Sequence, residues 1–363
     1  MENAAARRPT VVIDKSFPAA HHAWLLARCA KVYNLADAGD AAVLDGSEAA
    51  RDTVEGLLWY GHAIIDEALL SRFPNLSVVS NFGAGYDHID TDACTARGLP
   101  VGHTPGALSE TVADHAMAIM LAAARDVVPG AARANRPDFT HFNPNDLGKQ
   151  VSGTTIGIVG MGSIGSAIAR RAAYGFGQRV LYFNRHRKSI EHEQKTGGAE
   201  YCSDLSTLLA RSDYVVCCLP KNEETNGLMG SDQFRCMKSD AILVNIGRGN
   251  CVDHDALAHA LSENELARVA LDVTEPEPLP RNHPLVLTAG TPLHGRVLIT
   301  PHQGSATNET RMQMMKMSFD NLLAGTQRGV RLPWLAHESA AAGLYPEGCE
   351  VGATTFSGIA ANP

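Results

Sequence analysis

The chain has 363 residues, enough for two domains, and its 45% hydrophobic and 19% charged content is ordinary for a globular protein. A net charge of −8 argues against general affinity for nucleic acid, whose backbone selects basic faces. The eight cysteines include no C-x-x-C pair, which reads as reduced thiols of a cytoplasmic protein rather than a disulfide frame or a metal site. No signal peptide stands in Met1 to Pro9, and no apolar run reaches membrane-spanning length.

In chain order, Thr10 to Asp14 reads as a strand, Ala19 to Lys31 as a helix and Leu57 to Tyr60 as a strand. Asp66 to Arg72 reads as a short helix stopped by Phe73-Pro74, and Leu76 to Ser80 as a strand entering the turn Gly83-Ala84-Gly85. Strands separated by helices over such distances imply a parallel sheet with crossover helices. Beyond Ser109 and Glu110, the run from Thr111 to Val127 is apolar nearly all round, as expected of a helix buried between two domains. Pro129 to Gly153 reads as hinge and loop. A second strand–helix series then gives strands at Thr154–Val159, Val180–Phe183, Tyr214–Leu219, Ala241–Ile246, Val269–Val273 and Val297–Thr300. Met312 to Leu323 reads as a last helix packing back on the first domain. The Ala- and Gly-rich tail from His337 to Pro363 is expected to be partly disordered.

The first strand of the second series runs into Gly160-Met161-Gly162-Ser163-Ile164-Gly165 and then a helical pattern. Strand, glycine turn and helix form the context in which G-x-G-x-x-G binds a dinucleotide pyrophosphate at a helix N-terminus. The next strand ends in Asn184-Arg185-His186-Arg187-Lys188, where an acid would hold a ribose 2′-hydroxyl. Cations there favour a 2′-phosphate, so NADP(H) is preferred and NAD(H) is the alternative.

Ligands of open parallel sheets bind beyond the carboxyl ends of the strands. Three such ends carry reactive side chains: Gly247-Arg248-Gly249, Thr274-Glu275-Pro276-Glu277-Pro278 and Pro301-His302-Gln303-Gly304-Ser305. The turn Gly83-Ala84-Gly85 adds backbone N–H groups able to face an anion. Reducing a ketone needs a proton donor, which histidine supplies near neutral pH, and a carboxylate beside it favours the charged ring and orients it. An arginine fork can clamp a substrate carboxylate and polarise the carbonyl. His302, Arg248 and one of the two acids fill these roles, with Glu275 and Glu277 not separated by the local sequence.

The chain resembles the D-isomer-specific 2-hydroxyacid dehydrogenases. The resemblance is carried by Asn81 to Asp90, the glycine fingerprint, Val244 to Gly249, Leu271 to Pro278 and Thr300 to Ser305, across roughly residues 76 to 325. With Leu279-Pro280 and Asn282-His283-Pro284-Leu285, it is most similar to the glyoxylate/hydroxypyruvate reductases of that family. The resemblance implies an α/β fold of two Rossmann-like domains with the active site in the cleft between them. A flavodoxin-like substrate-binding domain would comprise residues 1–122 and 303–335, and an NAD(P)-binding domain residues 123–302, with 336–363 as the tail. It implies Arg248, Glu277 and His302 as the catalytic set, Glu277 being chosen over Glu275 because the family's acid lies five residues past the aspartate, here Asp272. Ala84 and Gly85 would donate backbone hydrogen bonds to the substrate carboxylate, with Ser305 near the substrate. Cofactor contacts would come from Gly160, Gly162, Ser163, Ile164, Gly165, Asn184, Arg185, His186, Arg187, Cys218, Leu219, Ile246, Asp272 and Gly304.

The expected activity is NADPH-dependent reduction of glyoxylate to glycolate and of hydroxypyruvate to D-glycerate, by a homodimer. Alternatives are a larger 2-oxo acid, an NADH preference, or a dinucleotide-sensing scaffold similar to the C-terminal-binding co-repressors. A formate dehydrogenase is disfavoured because Glu277 stands where those relatives carry glutamine, and a phosphoglycerate dehydrogenase because the tail is too short for a regulatory domain. Two departures from the family pattern bear on substrate size. Gln303 stands where a small apolar residue is common, and Phe139 to Pro144 offers aromatics, in loose alignment, where related reductases place a bulky substrate-contacting residue.

Overall fold

The structure is a computed structural model that describes residues 8–141, 147–286, 288, 290–291, 293–327 and 331–336. The segment 142–144 and the tail 337–363, both singled out in the sequence, lie outside the described residues. The chain divides into two compact units, Met1–Leu108 with Thr307–Pro363, and Ser109–Ala306.

The first unit holds five parallel strands: β1 Thr10–Ile13, β2 Lys31–Asn34, β3 Val54–Trp59, β4 Val78–Asn81 and β5 Val101–Gly102. Their spatial order, β2-β1-β3-β4-β5, is the flavodoxin-like one. Burial on both faces explains why β3 and β4 read as apolar runs rather than alternating patterns. Helix Asn308–Gly325 covers one face, with Phe319 and Leu322 packed among Val11, Ile13, Leu58 and Val78. The expected helix Ala19–Lys31 ends at Leu26, and Lys31 already belongs to β2.

The second unit is a seven-stranded parallel sheet: β6 Thr155–Val159, β7 Arg179–Phe183, β8 Glu200–Cys202, β9 Tyr214–Cys217, β10 Ile242–Asn245, β11 Arg268–Leu271 and β12 Val297–Ile299. The order β12-β11-β10-β9-β6-β7-β8 reverses direction between β6 and β9, which is where such sheets bind dinucleotides. Helix Ser109–Ala124 belongs to this unit, burying Val112, Ala116, Ile119 and Met120 while Glu110 and Asp114 pair with Arg170 and Arg171. The unit therefore begins at Ser109 and ends at Ala306, against sequence-based boundaries of 122/123 and 302/303. The helix ends at Ala124; two residues on, Asp126 has a left-handed backbone (φ 56°) and ion pairs to Arg268 at 2.6 Å and Arg133 at 2.9 Å. A further helix, Val127–Ala134, follows where loop was expected; Pro129 falls in its first turn, where the missing N–H costs nothing. The described cysteines are free thiols.

Candidate active site

The glycine turn lies at the end of β6 and opens helix Ser163–Arg170, with Gly162 as its N-cap. Gly160 has φ 104° and abuts Cys218 at the end of β9, on the other side of the switch point. A β-carbon at Gly165 would overlap the Gly160 carbonyl, so only glycine lets the helix start this close to the strand. This cradle of small residues at a helix N-terminus fits a dinucleotide pyrophosphate.

The end of β7 is fastened to the cradle. Asn184 Oδ1 accepts the Met161 amide at 2.7 Å, and Tyr201 donates its hydroxyl to the Asn184 carbonyl at 3.2 Å. Arg185 and His186 form the bend that follows. Arg185 pairs with Glu224 at 2.7 Å, both side chains being well exposed. Arg187 is engaged differently: its fork binds Glu193 at 2.8 and 2.9 Å, and Tyr182 donates to the same carboxylate at 2.7 Å. The Arg187 and Tyr182 hydrogen bonds hold the Glu193 pKa down at about 2. Arg187 thus serves to brace the segment after β7, a role the sequence did not indicate because Glu193 looks like any surface acid of a helix.

At the end of β10, the buried Asn245 staples the arginine turn, donating to the Arg248 carbonyl at 3.0 Å and accepting the Gly247 amide at 3.2 Å. A β-carbon at Gly249 would overlap the Thr274–Glu275 peptide, so the turn carrying Arg248 lies directly on the segment after β11. Arg248 itself is half-buried, with Nη1 donating to the Gly247 carbonyl at 3.0 Å. Leu219 and Ile246 lie just beyond the ends of the neighbouring strands β9 and β10.

The geometry separates the two acids that local sequence left tied. Glu277 Oε1 lies 2.7 Å from His302 Nδ1, whereas Glu275 faces Lys221 at 3.5 Å. The histidine–glutamate pair is partly exposed, at 29% and 39%, so a small molecule can reach it. His302 adopts φ 50°, an uncommon left-handed conformation for a residue with a β-carbon. Asp272 sits beneath it, 3% exposed, and accepts the Gln303 and Gly304 amides at 2.9 and 2.8 Å. Burial pushes the Asp272 pKa up, but hydrogen bonds from His115, Thr300 and Gln303 outweigh it and hold it at about 2. Ser305 is half-buried in the same loop. The sequence had marked Asp272 only as a cofactor-lining residue and had not marked His115 or Thr300, whose partners are distant in the chain.

A carboxylate held below its unfolded value near 4 stabilises the fold above that pH, and the contribution fades as pH falls toward 2. For the buried Asp272 this amounts to about 2 kcal/mol. Asp272→Asn is expected to flatten the loss of urea stability between about pH 5 and pH 3; an unchanged pH dependence would mean that the carboxylate is not ionised in the fold.

Ala84 and Gly85 lie in the first unit, after β4. The turn is held through its carbonyls: Asn81 Nδ2 donates to Gly83 and Gly85 at 3.1 and 2.9 Å, and the His103 ring lies 3.0 Å from the Ala84 carbonyl. Among the described residues, no cluster of three or more His, Cys, Asp or Glu could hold a metal, and no helix is long and apolar enough to cross a membrane.

Residues 117–304 match the family profile described as D-isomer specific 2-hydroxyacid dehydrogenase, NAD binding domain. A glyoxylate/hydroxypyruvate reductase B from Escherichia fergusonii is 40% identical over 326 residues, covering 89% of this chain and 96% of that protein. A protein of the same name from Escherichia coli is 45% identical over 274 residues, covering 75% of this chain and 82% of that protein. Among solved structures, the NADPH-dependent glyoxylate/hydroxypyruvate reductase of Sinorhizobium meliloti, in complex with NADP and malonate, superposes with a TM-score of 0.76. It is 28% identical, over 92% of this chain and 98% of that one. With the dinucleotide cradle and the histidine–glutamate pair in place, the chain belongs to the D-isomer-specific 2-hydroxyacid dehydrogenase family and is an NAD(P)-dependent oxidoreductase.

Proposed function

We propose that the protein reduces glyoxylate to glycolate and hydroxypyruvate to D-glycerate, with NADPH as its preferred cofactor. The observation that carries this reading is the 2.7 Å contact between His302 and Glu277, in the same unit as the glycine cradle and beside the Arg248 turn. The names of the similar reductases point to the same substrates. Gly160, Gly162, Ser163, Ile164 and Gly165 would hold the pyrophosphate of the dinucleotide, and Asn184, Arg185 and His186 its adenosine end. Cys218, Leu219, Ile246 and Gly304 would line the remainder. When bound, the nicotinamide supplies the hydride.

The chain supplies the proton and the grip. Glu277 fixes the imidazole through Nδ1, so Nε2 is the ring atom that hands a proton to the substrate oxygen and recovers it in the reverse direction. Arg248 binds the substrate carboxylate with its fork and polarises the adjacent carbonyl. The Ala84–Gly85 turn of the first unit would offer backbone N–H groups to a carboxylate, and Ser305 a hydroxyl near the substrate.

The cofactor preference rests on Arg185. Its exposed pair with Glu224 can be exchanged for a 2′-phosphate, whereas Arg187 is already held in a two-pronged bond to Glu193. Arg185→Ala is expected to raise KM for NADPH about tenfold or more, while NADH changes little, since only NADPH has a phosphate charge to lose. Equal losses for both cofactors would reject the 2′-phosphate reading. A panel of glyoxylate, hydroxypyruvate and bulkier 2-oxo acids, each with both cofactors, tests the substrate assignment. The two small acids should give the highest kcat/KM with NADPH, and a dinucleotide-sensing scaffold would give negligible turnover throughout. A cytoplasmic homodimer completes the proposal, with a solution mass near twice 38.7 kDa as its readout.

A further inference from the structure

The Asp272 carboxylate accepts hydrogen bonds from Thr300 Oγ1 at 2.7 Å, from the Gln303 and Gly304 amides at 2.9 and 2.8 Å, and from His115 Nε2 at 3.2 Å. The backbone carbonyl of Asp272 takes the His302 amide at 2.9 Å. One residue therefore ties down three successive amides, at 302, 303 and 304. These are the residues around the left-handed backbone of His302 (φ 50°), a conformation that persists only where surrounding structure enforces it.

An ionised carboxylate only accepts hydrogen bonds, so His115 must carry its proton on Nε2. Thr300 donates to Asp272 and accepts from His115 at 3.1 Å, which closes a three-residue network. His115 reaches this network from helix Ser109–Ala124, where it stands among the buried Val112, Ala116 and Ile119. Its side chain is only 16% exposed. An apolar residue would suit that face of the helix, but it would leave Asp272 and Thr300 each short of a partner in a site with little access to water.

We propose that His115 is a positioning residue for proton transfer at His302, acting through Asp272 and Thr300 to fix the backbone of residues 302–304. The proposal rests on the reading of His302 as the proton donor. His115 shapes the path of the loop, and Glu277 separately sets the orientation of the ring.

The test compares His115→Leu with His115→Gln in the full chain, because a glutamine amide can place an N–H close to the position of Nε2. Hydrogen–deuterium exchange of peptides spanning 300–306 is measured without cofactor or substrate, alongside kcat and the Kd for NADPH. The leucine variant is expected to exchange this segment about tenfold faster. It should lose about 10²-fold in kcat, with the Kd for NADPH rising by less than about tenfold, because Gly304 would also line the cofactor. Glutamine should restore most of both properties. Unchanged exchange in the leucine variant, or a glutamine variant as impaired as leucine, would overturn the proposal. So would a loss of NADPH affinity as large as the loss of kcat. If the leucine variant does not fold, His115→Asn takes its place with the same expectations, since its amide is too short to reach Asp272. The exchange readout involves no turnover, so an error in the substrate assignment leaves it standing.

Discussion

Replacing His302 with alanine is expected to lower kcat by about 10²- to 10⁴-fold while the Kd for NADPH stays close to that of the parent. The dinucleotide cradle is built from the ends of β6, β7 and β9, and it is fastened by the Met161–Asn184 and Tyr201–Asn184 hydrogen bonds. Loss of the imidazole removes the proton donor and leaves Glu277 facing a void. The deficit should therefore appear in the chemical step, read by single-turnover kinetics, with cofactor binding read by quenching of protein fluorescence. Turnover within about threefold of the parent would exclude His302 as the donor.

Arg248→Lys is expected to cost about 10²-fold or more in kcat/KM although the charge is retained. Asn245 and the close packing of Gly249 on the Thr274–Glu275 peptide fix the turn so that a planar fork is presented. Lysine offers one ammonium on a flexible stem and cannot meet both oxygens of a carboxylate at once. It also loses the hydrogen bond that Nη1 gives to the Gly247 carbonyl. A mild effect would mean that no two-pronged clamp forms.

Much of this was legible in the sequence because a buried parallel strand announces itself as an unbroken apolar run. β6, β7, β9, β10 and β11 were all readable in that way, and the residues just beyond them form the candidate site. The strands that escaped notice were β2, β5 and β8, which are too short or too polar at Lys31, Asn34 and Glu200 to show a pattern. Helix Val127–Ala134 was hidden by Pro129 and Gly130, which read as loop but are tolerated in a first helical turn.

The candidate site was legible by residue type more than by partnership. Local sequence could not distinguish Glu275 from Glu277, since both stand before prolines; the family resemblance chose Glu277, and the His302 contact agrees with that choice. The basic run Arg185 to Lys188 pointed to a phosphate, but nothing in the run showed that Glu193, six residues beyond Arg187, engages that guanidinium. His115 lies 157 residues from Asp272, and its significance is a contact that periodicity cannot reveal. A histidine next to the buried Val112, Ala116 and Ile119 of the helix was the available sign.

The central claim is most directly tested by incubating the purified chain with hydroxypyruvate and NADPH, following the loss of NADPH absorbance and resolving the glycerate formed on a chiral column. The account predicts D-glycerate in equal amount to the NADPH consumed. No consumption with either cofactor, or formation of L-glycerate, would contradict it.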